Sequence, residues 1–529
     1  MAYDIKKARA HLDSAWNEQQ RWYHRWNRAF ELIVPERSER YRLNTGTSVA
    51  PYIYDTTAPE KAENLANQMI SVLTPAGIPW LRLTPGPKII GEDRLKMGQM
   101  LQGINQVISY YVQNANFSVA AQPAFLDMMV TAGALKIEPD PNGLGFTIEC
   151  VPIHELAYRV NIHGQVSSVY RRYKVRAGQI LEFEQYAEKL SEQTRRNYDQ
   201  NPEQEIELCC AIEPIPGGEF HYCEWISNEQ AVLEDKGIKR NPFLIFRWSA
   251  VSSTPYGRGP GLVKYHTILN VNTLSEYQLK AAGFDMLGIW GKKDDSVINI
   301  NTIGLYPGIQ IVMESVSAAD PSMRRIDDQG GSRYRIGQDT LDKQREEIVK
   351  AFYADKFSPI IGDKMSATEI RERSQDLAQA LGAVWGRLEA ELLRPFALMV
   401  LSILKEQGAF KGIKGVDANV LELLNIDRKE LDVRFLGTLS QAQYMQNAQG
   451  ALQYLSSVQA AAQMDPQLLS LVDTEGFFME LAEWMTVPPH LINNKEKRQE
   501  IMQEALKQQQ MMQAQQAPQL LPGAPPTPI

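Results

Sequence analysis

Near residue 134 the hydrophobic period of this chain changes from helical spacing to strict alternation, and the alternation holds to residue 226. The runs LKIEP, GFTIECV, ELAYRV, VSSVYRRYKV, EIELCCAIEP and FHYCEWI alternate apolar with polar residues and are separated by turn formers, which is the pattern of half-buried strands. One helix, at about 178 to 190, interrupts them, and FLIFRWS at 243 to 249 is a last strand. Ahead of this block the spacing is helical. Residues 4 to 34 carry Ile5, Ala8, Leu12, Trp16, Trp22, Trp26, Phe30 and Leu32 among many charges, and Pro35 ends the run. The tryptophans belong to the apolar stripe and are expected in the core. A second helix opens at Asp55, Thr56 and Thr57, all N-cap residue types, with Pro59 suited to the first turn and Ala62, Leu65, Ala66, Met69, Val72 and Leu73 forming its apolar face. A strand at 80 to 84 and helices at 92 to 117 and 121 to 131 complete the first half, which is of the α+β class.

The second half is mostly helical. Residues 261 to 283 form one helical pattern, about 35 Å long at 1.5 Å per residue, and residues 338 to 357 form another. Between them lies a strand-and-turn insert from Phe284 to Gly331. SPIIGDKM, from Ser358 to Met365, is a loop because Pro359 and Gly362 interrupt a helix. Ser366 and Glu369 then form a capping box that opens a helix over 367 to 406. That helix has three places to bend, Gly382, Gly386 and Pro395, and the proline acts most strongly because its ring clashes with the preceding turn. Residues 411 to 440 return to strand through DVRFLGTL. Residues 441 to 507 are helical, with eight acids against four bases, and the Gln- and Pro-rich end from 508 to 529 is expected to be disordered.

Charge and motifs narrow the function. The 529 residues hold 55 lysines and arginines against 63 acids, a net −8, which argues against affinity gained by neutralising phosphates over a broad surface. Cys150, Cys209, Cys210 and Cys223 lie in strand-like runs without metal or redox spacing and read as buried thiols. No apolar run reaches the ~20 residues that span a bilayer, and no signal peptide opens the chain. The sequence holds no phosphate loop, no HExxH, no GxSxG and no His/Cys cluster, so neither a cofactor nor a resident metal is expected. Gly257, Gly259 and Gly261 lack the spacing and βαβ context of a dinucleotide site and read as a helix-entry turn. His154 and Glu155 form an isolated pair on a strand edge, which is structural or solvated in most settings.

Three separated stretches resemble one family. Asp55-Thr56-Thr57-Ala58-Pro59 runs into Leu65-Ala66-Asn67-Gln68-Met69 and then Pro75 through Trp80 to Leu83. Tyr256-Gly257-Arg258-Gly259-Pro260 precedes Leu269-Asn270. Met365-Ser366-Ala367-Thr368-Glu369-Ile370-Arg371 opens the long helix. In this order they resemble the head-to-tail connector, or portal, proteins of short-tailed, podovirus-type bacteriophages, over residues 4 to about 507. The last stretch departs from the family by reading Ser-Ala-Thr-Glu around a Thr-Ala-Glu-Glu pattern.

The resemblance implies a portal fold: an α+β wing over 1–255, stem helices at 256–283 and 332–357 bracketing a β clip at 284–331, a tunnel loop at 358–366, a long kinked helix at 367–410, wing strands at 411–440, a helical crown at 441–507 and a tail at 508–529. It implies a non-enzymatic homo-oligomeric ring, twelvefold, at one vertex of the virion and assembled in the host cytoplasm. Double-stranded viral DNA would pass through its channel for packaging and ejection. A separate terminase, tail adaptor or nozzle proteins, and capsid and scaffolding proteins would be its partners, and no membrane. Lys356, Ser358, Pro359, Ile360, Ile361, Gly362, Asp363 and Lys364 would face DNA in the channel, and Lys292, Lys293, Arg324 and Arg325 would serve docking at the clip. Read without the family, these cations sit beside Asp355, Asp363, Glu369 and Glu372, or beside Asp294, Asp295, Asp327 and Asp328, as ordinary solvated charges. Two other functions fit the composition: a metal-dependent nucleic-acid enzyme with carboxylates dispersed along the chain, and a virion scaffold or adaptor without a channel.

Overall fold

A computed structural model describes residues 5–39, 52–75, 79–86, 89, 91–141, 143–227, 231–252, 254–287, 290–292, 323–325, 331–357, 382–411, 431–435, 438–462, 474–485, 487 and 492. In chain order the elements are α1 (Ile5–Ile33), α2 (Thr57–Leu73), β1 (Leu81–Pro85), α3 (Gly91–Asn114), α4 (Phe117–Val130), β2 (Ala132–Pro139), β3 (Phe146–Cys150), β4 (Leu156–Val160), β5 (Val166–Arg176), α5 (Ala177–Glu182), α6 (Glu184–Ala187), α7 (Glu192–Gln200), β6 (Glu205–Pro214), β7 (Phe220–Ile226), β8 (Val232–Ile238) and β9 (Phe243–Arg247). There follow α8 (Pro260–Val263), α9 (Tyr265–Leu287), β10 (Trp290–Lys292), β11 (Met323–Arg325), α10 (Gly331–Ala351), α11 (Ala354–Phe357), a π-helical turn (Glu389–Leu393) leading into α12 (Arg394–Glu406), β12 (Leu431–Phe435), α13 (Thr438–Ala462) and α14 (Thr474–Trp484). The fold is of the α+β class, as the change of period requires. No helix among the described residues is long and apolar enough to cross a membrane.

The chain divides into two units, one of residues 1–76 and 115–399, the other of residues 77–114 and 400–529. In the first, the last four runs of the alternating block, β4 to β7, form a five-stranded antiparallel sheet with β8, a strand the alternation did not announce, in the order β4-β5-β6-β7-β8, while the first two runs, β2 and β3, go to a second sheet. The two faces of the five-stranded sheet are covered differently because the residues alternate. Ala8, Leu12 and Ala15 of α1 meet Tyr170, Cys209, Ala211, Cys223 and Trp225 on one face. On the other, Ile180, Leu190 and Tyr198 of the short-helix region meet Leu208, Ile226 and Leu233. The single helix expected at 178 to 190 is instead two short ones, α5 and α6, and a third, α7, follows beyond it. Phe183 ends the first in extended backbone (φ −94°, ψ 99°), and Ser191 caps the third by accepting the Thr194 N–H at 3.1 Å.

A three-stranded sheet, β3-β2-β9, lies in the same unit. Helix α4 packs on it, with Phe125 edge-on to Phe246 at 5.4 Å. Gly133 permits this approach, because a Cβ there would sit 2.5 Å from the Phe246 ring. His154 and Glu155 occupy a 3-10 turn, Ile153–Glu155, and not a strand edge. Glu155 is spent on Arg171, whose Nε donates to it at 3.0 Å. The four cysteines are free thiols, three buried and Cys150 partly so.

In the second unit β1 pairs antiparallel with β12, Leu83 opposite Val433, so the strand read at 80 to 84 closes with the one carried by DVRFLGTL. Asn105 of α3 holds β1 through both polar atoms, accepting the Leu83 N–H at 2.7 Å and donating to the Leu83 carbonyl at 2.9 Å.

Candidate functional site

Two long helices of the first unit, α9 and α10, run side by side. Lys264, just ahead of α9, binds Glu347 near the end of α10 at 3.0 Å, and Gln278, further along α9, lies beside Gly337 near the start of α10. They are therefore antiparallel, and β10 and β11, paired as Trp290 with Arg325 and Lys292 with Met323, fall between them in sequence. The stem helix expected from residue 261 is divided at Lys264, where α8 closes with the Lys264 N–H donating to the Pro260 carbonyl.

The entry to this pair is built by glycine. A Cβ on Gly257 would lie 2.5 Å from the Thr131 carbonyl oxygen, one on Gly261 2.6 Å from Ile33 Cδ1, and one on Gly259 would overlap the Met128 and Met129 carbonyls. The segment thus lies directly on the backbone that ends α4. The Gly259 N–H donates to the Val130 carbonyl at 3.1 Å and the Arg258 N–H to that of Ser249 at 2.9 Å. Tyr256 is buried in an aromatic cluster, edge-on to Trp26 at 4.8 Å and to Tyr158 at 4.9 Å. Pro260 then starts α8, where its missing N–H costs nothing.

Asp55 clamps the pair. One carboxylate oxygen accepts Arg345 Nη2 at 2.6 Å and Nε at 2.9 Å from α10, together with Ser275 Oγ of α9 at 3.3 Å. The other accepts the Thr57 N–H at 2.9 Å and so caps α2. Asn272 of α9 adds its side-chain oxygen to the Tyr54 N–H at 2.8 Å and its amide to the Tyr52 carbonyl at 3.0 Å. Burial pushes the Asp55 carboxyl up, but the Thr57 and Arg345 hydrogen bonds outweigh it and hold the group below the ordinary carboxylate value. One aspartate thus joins the first turn of α2 to both α9 and α10.

A second ion pair, Arg247 with Glu391, is largely buried on both sides and fixes the long helix. Arg247, at the end of β9, gives Nη2 and Nε to Glu391 at 2.6 and 3.2 Å, Nη1 to the Pro255 carbonyl and Nη2 to that of Gly164, both at 3.0 Å. Its backbone N–H also reaches Glu391 at 3.0 Å. Glu391 lies in the π-helical turn, where the Arg394 N–H donates to the Glu389 carbonyl five residues back. The widened turn comes one turn ahead of Pro395, the residue expected to bend this helix: Pro395 has no N–H for the Glu391 carbonyl, and Glu391 in that turn gives its carboxylate to Arg247.

At the far end of α10, Tyr353 adopts φ 55° between α10 and α11, a left-handed conformation costly for a side chain of this size, and its ring lies 5.8 Å from that of Trp248. Lys356 follows on α11. Ser358 through Lys364 lie outside the described residues, as do Lys293, the capping box at Ser366 and Glu369, residues 367–381 and the tail from 508. Lys292 ends β10, and Arg324 and Arg325 lie on β11, so three of the four expected docking cations share one short ladder.

Asp55 was legible in the sequence only as a cap type and Arg345 not at all, because partners 290 residues apart leave no mark on periodicity. Arg247 left a signal: it is the charged residue in the otherwise apolar run FLIFRW, and a charge inside a buried strand demands a partner.

The sequence model of the family described as bacteriophage head to tail connecting protein matches residues 5–492. A probable portal protein of Bordetella phage BPP-1 is 24% identical over 512 residues, which cover 90% of this chain and 86% of that protein.

Proposed function

The chain belongs to the bacteriophage head to tail connecting protein family, and from that membership we propose that it is the portal subunit of a phage virion, closing in about a dozen copies into a ring at one capsid vertex. In this reading α9 and α10 form the stem, the segment carrying β10 and β11 forms the clip, and residues 358–366 face the DNA that passes through the bore. Lys356 and Lys364 would touch its phosphates in passing. Lys292, Lys293, Arg324 and Arg325 would dock terminase during packaging and tail adaptor proteins afterwards, and capsid and scaffolding proteins would surround the wing. The subunit works by shape, and the chemistry of ATP belongs to another protein.

The observation that carries this reading is the clamped antiparallel pair. Two helices of about 30 Å each, joined at one end by a β segment and held near the other by Asp55, make a stalk whose direction is fixed relative to the body. A ring needs that constancy, because an angular error in one subunit repeats at every interface until the annulus cannot close. Negative-stain imaging with native mass measurement tests it. Annular particles with a central hole and a mass of about a dozen subunits are expected, and monomers or dimers at every concentration and salt tested would refute it.

A further inference from the structure

We propose that the outward face of α1 is a docking surface for the phosphate backbone of double-stranded nucleic acid, separate from the channel and independent of the ring reading. The net charge of −8 conceals a segregation: α1 carries six lysines and arginines against three acids. Its buried side, Ala8, Leu12, Ala15, Gln19, Trp26, Ala29, Phe30 and Ile33, leaves Arg21, His24, Arg25 and Arg28 exposed on the opposite side at spacings of three, four and seven residues, which is one face of a helix.

The acids of α1 do not neutralise this face. Asp13 is engaged by Arg172, Glu31 accepts the Asn27 amide at 3.5 Å, and Glu18 is half-buried. None of Arg21, Arg25 and Arg28 makes an ion pair with a described residue.

The chemistry of the face selects the partner. From Arg21 to Arg28 the helix rises about 10 Å, roughly three axial phosphate steps of one DNA strand at ~3.4 Å each, and guanidinium is the side chain suited to two-pronged phosphate contacts. An acidic polypeptide would also want an apolar centre to bury, whereas the stripe continues through Asn17 and Ser14, both exposed and polar. Single strands would need a row of rings for stacking, whereas Trp22 and Trp26 are turned onto Tyr256 at 6.5 and 4.8 Å and Tyr23, partly buried, lies 6.3 Å from His24, the one ring exposed among the arginines. What remains is a backbone contact to a duplex, without sequence preference.

The test is fluorescence anisotropy of a labelled 30-base-pair duplex of random sequence, titrated with the full-length protein over a salt series. R21Q/R25Q/R28Q is expected to bind at least tenfold more weakly at low salt, with a log–log salt slope shallower by up to about 2.7, since each lost phosphate contact removes about 0.9. R21K/R25K/R28K is expected to retain most of the slope. Unchanged affinity and slope in the glutamine variant would overturn the proposal, as would displacement of the duplex by poly-glutamate at equal charge concentration. Should the glutamine variant not fold, arginine-specific modification of the wild-type protein by phenylglyoxal decides the matter: the duplex protects Arg21, Arg25 and Arg28, or the proposal fails. Particle mass measured on the same samples tests the ring separately, because annuli that ignore the duplex would sink this inference alone.

Discussion

The buried pair between Arg247 and Glu391 makes a quantitative claim. The two side chains are 4% and 18% exposed, so water replaces little of what a substitution removes. Arg247→Met strips four side-chain hydrogen bonds and leaves the carboxylate with one backbone N–H and Arg387 at 3.4 Å; an uncompensated buried charge of this kind costs about 3–5 kcal/mol. Glu391→Gln keeps an acceptor for the Arg247 N–H but strands the guanidinium, at a similar cost. In R247M/E391Q neither charge is left alone, and the remaining cost is two carbonyls, of Pro255 and Gly164, without donors, about 1 kcal/mol each. The double variant is therefore expected to be more stable than either single one, with a coupling energy of about 3 kcal/mol or more. At about 2.1 cal/mol/K per residue over a unit of roughly 360 residues, 4 kcal/mol shifts its melting point by about 5 °C. A four-protein cycle by differential scanning calorimetry measures this, and additivity within about 0.5 kcal/mol would refute the account of the pair.

Two further perturbations probe the same unit. Burial pushes the Asp127 carboxyl up to about 6, against the pull of Arg37 at 3.1 Å and the Ile153 N–H. The folded state thus holds a proton that the unfolded chain releases, and the contribution, about 3 kcal/mol at 1.36 per unit, is full below pH ~4 and lost as pH rises through about 6; Asp127→Asn is expected to flatten the melting profile between pH 4 and 7, and parallel profiles would count against it. Gly259→Ala drives a methyl group into the Met128 and Met129 carbonyls, which are backbone and cannot rotate aside, and is expected to cost more than about 3 kcal/mol or abolish soluble protein. Gly283→Ala, with nothing within 4 Å, is the control expected to stabilise by up to about 1 kcal/mol, as measured by urea unfolding.

What could be read from the residues depended on distance along the chain. The alternating block produced its six strands, without saying that they divide between two sheets or that Val232–Ile238 adds an edge, and the Gly257 to Gly261 run produced its tight helix entry, because period and glycine placement report on immediate neighbours. The end of α10 was legible from Leu341, Ile348 and Val349, but its start at Gly331 was not, since Ser332 to Gln338 offers only Tyr334 and Ile336, two residues apart, which make no helical stripe. α5 and α6 read as one helix over 178 to 190 because Leu181, Phe183 and Tyr186 keep a helical rhythm across the break at Phe183, and α7 went unread because EQTRRNYDQ shows no apolar stripe. Pro395 announced an irregular helix without saying that a π-helical turn would precede it. The clamps were invisible altogether, since Asp55 and Arg345, or Arg247 and Glu391, become neighbours only after the sheets and helices have assembled.

These clamps answer a problem that apolar packing leaves open. The hydrophobic effect has no direction, and α9 offers little of it: Ile268 and Val271 are buried near its start, whereas Tyr277 and Leu279 further along are 60% and 61% exposed. A helix held only by its first turns would pivot. Asp55 prevents this because its hydrogen bonds to Ser275 and Arg345 must be met at given angles, and because the same carboxylate accepts the first N–H of α2, so a tilt of α9 or α10 would disturb a third helix. Arg247 does the same for the long helix, reaching its π-helical turn, a hairpin at Gly164 and the approach to α8 at Pro255 with one guanidinium. Buried ion pairs add less to stability than their Coulomb energy suggests, so their value here is angular. In the ring proposed above, each subunit would have to present the same two helices identically, and that is where such pairs would be needed.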